Sequence, residues 1–171
     1  DLLAAGGMGK VYEGFHPKFK QRVAIKVVDP HFAKNPDFRA RFIREAEATR
    51  RAAHKNVVEY ISVDWDEPHQ MLYLIVEFLK GNTLEETLRA LSAQPMPWGR
   101  AKAILLQMLD GLEAIHRADL IHRDLKPGNI MLTWKEGRQG DFVKILDLGI
   151  ARPLESSPKL TIDGFTIGTP E

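Results

Sequence analysis

Apolar positions fall along this chain in two rhythms. Near the start they cluster in short runs rich in β-branched and aromatic residues: Arg22-Val23-Ala24-Ile25-Lys26-Val27-Val28, then Val58 to Val63, then Met71 to Phe78. Runs of this length and make-up predict strands. Ahead of them, Leu2 to Gly14 reads as two strands joined by a glycine-rich turn. A helical rhythm interrupts the strands. Asn35-Pro36 is a cap and first-turn pair, and Phe38, Phe42 and Glu45 follow at i, i+4 and i+7, which puts these three on one face and Glu47 on another. Gly81-Asn82-Thr83 breaks the last of those runs and starts a short amphipathic helix, Leu84 to Leu91. After the boundary Pro95-Met96-Pro97, the residues Ile104, Leu105, Met108, Leu109, Leu112, Ile115 and His116 recur at helical spacing between Arg100 and Arg117. They predict a long helix with a broad apolar face, its Met108 and His116 being core rather than ligands. Two further strand-like runs, Ile130-Met131-Leu132 and Phe142 to Leu146, flank an enlarged tip, Trp134 to Asp141. With Gly137, Gly140 and mixed charge, that tip reads as a solvent-exposed elaboration without chemistry.

Composition narrows the class. The chain has 171 residues, 44% of them hydrophobic, enough for a real core and for one or two small domains. Its 24 basic and 23 acidic residues leave a net charge of +1, so nothing argues for a nucleic-acid partner. There is no cysteine, hence no disulfide and no thiolate metal site, which fits a reducing, cytoplasmic setting. No run approaches the ~18 apolar residues of a membrane span and no signal peptide opens the chain, so no membrane segment is expected in it. An anchor elsewhere in a longer parent protein stays open.

The chemistry concentrates in two loops. Ile121-His122-Arg123-Asp124-Leu125-Lys126-Pro127-Gly128-Asn129 stands before the first of the last two runs, and Asp147-Leu148-Gly149 follows the second. Pairing those runs as a hairpin brings Asp124, Lys126, Asn129 and Asp147 together. One carboxylate can then accept a hydroxyl proton while the other carboxylate and the amide offer hard oxygen ligands to Mg²⁺. That is equipment for phosphoryl transfer, where positioning and charge neutralisation do most of the catalysis.

His122-Arg123-Asp124-Leu125-Lys126-Pro127-x-Asn129 followed by Asp147-x-Gly149 resembles the catalytic loop and metal-binding motif of protein kinases, with Lys126-Pro127 in the serine/threonine form. The other motifs of that family come in order. Leu2 to Gly14 resembles its glycine-rich loop, with Ala4 in place of the first glycine. Val23-Ala24-Ile25-Lys26 resembles its phosphate-binding strand, and Glu77-Phe78-Leu79, after a small gatekeeper Val76, its hinge.

The resemblance implies an α+β, protein-kinase-like bilobal fold. Residues 1–79 would form an N-lobe of antiparallel sheet plus one helix, and the hinge. Residues 80–171 would form a partial C-lobe, mainly helical and incomplete. It implies ATP and Mg²⁺ as cofactors and protein serine or threonine hydroxyls as acceptors. Asp124 would orient and deprotonate the acceptor, and Lys126 would neutralise the transferred phosphoryl group. Thr169 would shape the site around them, and Asn129 and Asp147 would hold the metal. Lys26, paired with Glu45, would position the α- and β-phosphates. Ala4, Ala5, Gly6, Gly7, Gly9, Val11, Ala24, Met131, the Glu77 carbonyl and the Leu79 N–H would surround the nucleotide. Thr49, where the family usually has a large apolar residue, would hold the helix of Glu45 less firmly.

Ile150 to Glu171 would be an activation segment, with Thr161 the preferred phosphosite, Thr166 second, and Arg123 supplying the counter-charge; Ser156 and Ser157 are the competing sites. By the same resemblance the chain is part of a kinase domain, beginning inside the first strand, ending before the later helices and inactive alone. Two other readings stay open: a pseudokinase or ATP-binding scaffold, and a small-molecule phosphotransferase of related fold.

Overall fold

The computed structural model describes residues 1–92, 94–134 and 140–147. Gly137, Gly149, Thr169 and the hydroxyl residues Ser156, Ser157, Thr161 and Thr166 lie outside them.

Five strands make one antiparallel sheet in the order β1-β2-β3-β5-β4: Leu2–Gly6, Gly9–His16, Gln21–Val28, Met71–Glu77 and Tyr60–Asp66. Between β3 and β4 come a one-turn helix α1, Pro30–Ala33, and the longer α2, Pro36–Thr49, so this lobe holds one helix more than expected. Asn35 caps α2 as its sequence implies: its side-chain oxygen accepts from the N–H groups of Asp37 at 2.9 Å and Phe38 at 3.2 Å. The buried stripe of α2 runs Phe38, Phe42, Ala46, Thr49, one residue beyond the expected Glu45. Glu45 sits half-buried at its edge.

Two expected boundaries moved, each for a tertiary reason. Val58 does not begin β4, because its N–H donates to the Ile145 carbonyl at 2.9 Å and Val57 bridges Ile145 in parallel. The long helix α4 starts at Trp98 rather than Arg100 and ends at Arg117. Pro97 has no N–H to leave unpaired, and its carbonyl accepts from Ala101 at 3.0 Å, so the first turn closes early.

The second lobe, as far as it is described, contains α3 (Leu84–Ala90), α4 and a three-stranded sheet β6-β7-β8. Gly81–Thr83, expected only as a break, is the strand β6; β7 is Ile130–Thr133 and β8 is Phe142–Ile145. β6 lies so close to β7 that a Cβ on Gly81 would stand 2.1 Å from the Leu132 carbonyl oxygen. β7 and β8 form the expected hairpin, with Ile130 opposite Ile145 and Thr133 opposite Phe142. At the end of β8 nearest the tip, Arg100 makes a bidentate pair with Asp141 at 2.7 and 3.0 Å, and this partner holds the guanidinium in its charged form. One continuous apolar core joins both lobes, running from Val28, Phe42, Leu72 and Leu74 to Ile104, Ile115, Ile130, Val143 and Ile145.

Candidate active site

The roof of the site follows from strand register. Residues directly opposite one another in a sheet share a face. Ala4 pairs with Val11, Val11 with Lys26, and Lys26 with Leu74, so a single row crosses four strands. All four line a cleft of about 390 Å³. Beside them stand Ala5, Gly6, Gly7, Met8 and Gly9 of the β1–β2 turn, and Phe42 from α2.

The glycines of that turn do different work. A Cβ on Gly6 or Gly7 would meet nothing within 4 Å, so their backbone is open to whatever enters the cleft. Gly9 has φ +146°, and a Cβ there would lie 2.0 Å from the Val27 carbonyl oxygen. The strand crossing therefore requires glycine at this position, whatever the cleft binds.

The floor is built by two loops tied to each other. The Leu146 N–H donates to the Asn129 carbonyl at 2.8 Å, and the Leu146 carbonyl meets His122 Nε2 at 2.7 Å. A carbonyl can only accept, so Nε2 carries the proton; Nδ1 is then the acceptor facing the Asp124 N–H at 3.3 Å. Buried His122 thus fixes the start of the Asp124 loop against the residue before Asp147. The backbone here is strained in places: Arg123 and Asp147 sit at φ +61° and +45°, left-handed conformations that cost non-glycine residues energy and occur often at functional sites.

Side-chain bonds then define the chemistry. The NH₂ of buried Asn129 donates to the Asp124 carbonyl oxygen at 2.7 Å and to its carboxylate at 2.9 Å. Lys126 Nζ stands 3.0 Å from the same carboxylate oxygen. With both amide protons of Asn129 pointed at Asp124, its Oδ1 is left as the acceptor end. Asp147, largely exposed, presents its carboxylate in the same cleft and accepts from Lys26 at 2.7 Å.

These positions bring together Asp124, Lys126, Asn129, Asp147, Lys26, Val11 and the glycine turn, as expected. The pairing of Lys26 with Glu45 does not occur. No ion pair joins the two, because Lys26 is held by Asp147 and the face that α2 turns to the cleft carries Phe42. Ala24, Glu77, Leu79 and Met131 do not line this cavity; Ala24 is buried between Glu13 and Val76 in the sheet, and Met131 pairs with Thr83 and Lys144. Sequence reasoning missed Met8, Phe42 and Leu74 as lining residues. Strand register carried the signal for Leu74: once Lys26 is placed inward, its cross-strand partner must share that face.

A divalent cation fits this donor set. Asn129 Oδ1 and the Asp147 carboxylate are hard oxygens in one cleft, suited to a small ion that takes its remaining ligands from phosphate and water. Among the described residues no cluster of three His, Cys, Asp or Glu side chains could hold a metal by itself.

The comparisons agree with one another. The family model "Protein kinase domain" matches residues 1–170. The chain is 40% identical over 169 residues to serine/threonine-protein kinase Pkn1 of Myxococcus xanthus, covering 99% of this chain and 23% of that protein. To serine/threonine-protein kinase PknL of Mycobacterium tuberculosis it is 36% identical over 167 residues, covering 98% and 39% respectively. It therefore spans well under half the length of these relatives. The crystal structure of the Mycobacterium tuberculosis PknI kinase domain superposes with a TM-score of 0.76 at 28% identity, over 88% of this chain and 58% of that one.

Proposed function

Since the chain belongs to the protein kinase domain family, we propose that it carries the catalytic machinery for transferring the γ-phosphoryl group of ATP to serine or threonine hydroxyls of other proteins, in cytoplasmic signalling. One observation supports this above the rest. A single cleft holds Lys26 under the open Gly6-Gly7 turn and, facing them, Asp124, Lys126, Asn129 and Asp147. A scaffold that only bound nucleotide would have no need of Asp124 and Lys126 held in contact at 3.0 Å beside the metal-type donors.

In this reading Asp124 accepts the hydroxyl proton of the acceptor, and the Asn129 amide and Lys126 hold its carboxylate in place. Lys126 and Lys26 offset the phosphate charge, Lys26 being already inside the cleft. Asn129 Oδ1 and the Asp147 carboxylate would hold Mg²⁺. When bound, the ion supplies neutralisation of the triphosphate and fixes its geometry. Ala4 and Val11 on the roof would cover the nucleotide, with the Glu77 carbonyl and Leu79 N–H taking the adenine edge.

The test is Asp124→Asn in the purified full-length protein. Phosphotransfer to a generic protein substrate should fall by roughly 10²–10⁴-fold, the range of general-base catalysis, while magnesium-ATP affinity changes less than about twofold. Undiminished transfer would show that another group takes the proton. Transfer to sugars or amino alcohols in place of proteins would favour a small-molecule phosphotransferase.

A further inference from the structure

The second sheet has two ends, and the phosphate chemistry uses one of them. β7 begins beside Asn129, and β8 runs out toward Asp147. At the other end of the same strands lies a second groove, of about 510 Å³. Lys80 just before β6, Trp134 just past β7, Asp141 just before β8 and Arg100 of α4 all line it. Trp134 is 65% exposed. A tryptophan left in water is a large uncovered apolar plane, and with arginine it is among the residue types that most often anchor partners. The Lys80 ammonium stands 5.4 Å from the centre of its ring, so charge and apolar surface are offered side by side.

The charges fix the sign of what this groove can hold. Among the described residues that line it, Asp141 is the only carboxylate, and both of its oxygens are taken by Arg100. That pair uses Nε and Nη2, so the N–H groups of Arg100 Nη1 are left for a further acceptor. Lys80 enters no salt bridge among the described residues. A basic segment would find no uncommitted carboxylate here, whereas an acidic one finds an ammonium and part of a guanidinium. Size limits the segment as well. Three strands at about 4.8 Å spacing put β6 and β8 roughly 10 Å apart, the length of three extended residues. The groove therefore suits a short element, one apolar side chain on Trp134 with a carboxylate on either side. From Ile130 to Trp134 the strand rises about 14 Å. A segment docked at Trp134 is thus near enough to Asp124 to belong to the molecule whose hydroxyl reacts there.

We propose that this groove docks a short acidic element of the protein substrate, an apolar side chain flanked by carboxylates, at a place separate from the acceptor hydroxyl. This rests on the phosphotransfer reading given above and names what a substrate carries besides its serine or threonine.

Three synthetic peptides test it on the full-length protein. One carries a serine acceptor alone. The second adds Glu-Phe-Glu and the third Lys-Phe-Lys, each through a glycine-serine linker of about ten residues, whose end-to-end distance near ~17 Å covers the length of β7. Steady-state kinetics should give the Glu-Phe-Glu peptide a KM about three- to tenfold below that of the bare acceptor at unchanged kcat, because the tether joins docking and transfer in one encounter. The Lys-Phe-Lys peptide should gain nothing. Trp134→Ala should cancel the gain and leave the bare acceptor within about twofold of wild type, since the ring lies outside the catalytic cleft. Lys80→Glu should turn the preference toward Lys-Phe-Lys. Both side chains are exposed, so thermal melts of the variants should match wild type. Equal KM values for all three peptides, or a gain that survives Trp134→Ala, would overturn the proposal. If wild type phosphorylated none of the peptides, the phosphotransfer reading itself would fall and the docking proposal with it. That result is distinct from transfer without preference.

Discussion

At the scale of single residues, the site is a set of charges held at short range by partners of opposite kind, and Asp147 is the more exposed of its two carboxylates. It is the acceptor for Lys26 at 2.7 Å and is 45% exposed along its side chain, so an incoming cation can reach it. Asp147→Ala should weaken magnesium-ATP at least tenfold, about 1.4 kcal/mol. Chelating the metal should bring wild type down to the level of the variant, and calorimetry on both forms reads it; equal affinity in the two would sink the assignment. Gly9 makes a contrasting case, since its demand is steric. Gly9→Ala forces a methyl group against the Val27 carbonyl from 2.0 Å, so the strands must part. A loss of about 1–3 kcal/mol is expected in denaturant unfolding. Gly6→Ala meets open space and should cost far less. The residue types at these positions were legible from the sequence, because Asp, Asn and Lys at fixed spacing announce their chemistry. Which partner Lys26 takes was not legible. That choice depends on the rotation of α2, which brings Phe42 rather than Glu45 to the cleft.

At the scale of elements, caps and turns decide where the chain changes direction toward the site. The cap of α2 was readable as Asn35-Pro36, whereas the start of α3 was not read as one. Thr83 there forms a full capping box with Glu86: the Thr83 hydroxyl accepts from the Glu86 N–H at 3.1 Å, and the Glu86 carboxylate accepts from the Thr83 N–H at 2.7 Å. Those bonds from Thr83 hold the Glu86 carboxyl below its ordinary pKa, with a smaller pull from Arg89. A depressed carboxyl pKa contributes stability that is complete above the unfolded-state value and is lost as pH falls through the folded one. Glu86→Gln, which cannot ionise, should therefore differ most from wild type near neutrality and converge on it below about pH 4, the ordinary carboxylate range. Urea unfolding of both proteins across that range checks the sign; a gap that widened in acid would refute it. Strand and helix identities were legible because their periodicities differ. The boundaries at Val58 and Trp98 were not, since they depend on a bond to Ile145 and on where a proline carbonyl points.

At the scale of the whole molecule, what the sequence could not disclose is how the two lobes are joined. Composition shows enough apolar residues for a core; it does not show that one core runs through both sheets, nor that a buried polar knot sits in its middle. Gln107 of α4 is that knot. Its Oε1 accepts from the Val143 N–H at 3.2 Å and its NH₂ donates to the Asp141 carbonyl at 3.1 Å. Buried Asn56, on the segment leading to β4, donates to the Val143 carbonyl at 2.8 Å, while its own carbonyl accepts from the Ile145 N–H at 2.8 Å. The helix, the last hairpin and the entrance to the first lobe therefore share one set of hydrogen bonds. The outer face of the same helix offers no such contacts: Leu105, Leu106 and Leu109 are 50%, 53% and 60% exposed. Two substitutions on one helix should then behave oppositely. Leu109→Gln removes little buried surface and should change stability by less than about 0.5 kcal/mol. Gln107→Ala leaves the Val143 N–H and the Asp141 carbonyl without partners in a dry place, at about 1–3 kcal/mol for each group so stranded. Because those groups belong to the junction, the loss should lower a single cooperative transition in which the near-ultraviolet signals of both lobes, Trp65 in β4 and Trp98 at the start of α4, move together. If Gln107→Ala split the melt in two, with Trp65 reporting unchanged stability, the lobes would be independent and the knot would belong to the second lobe alone.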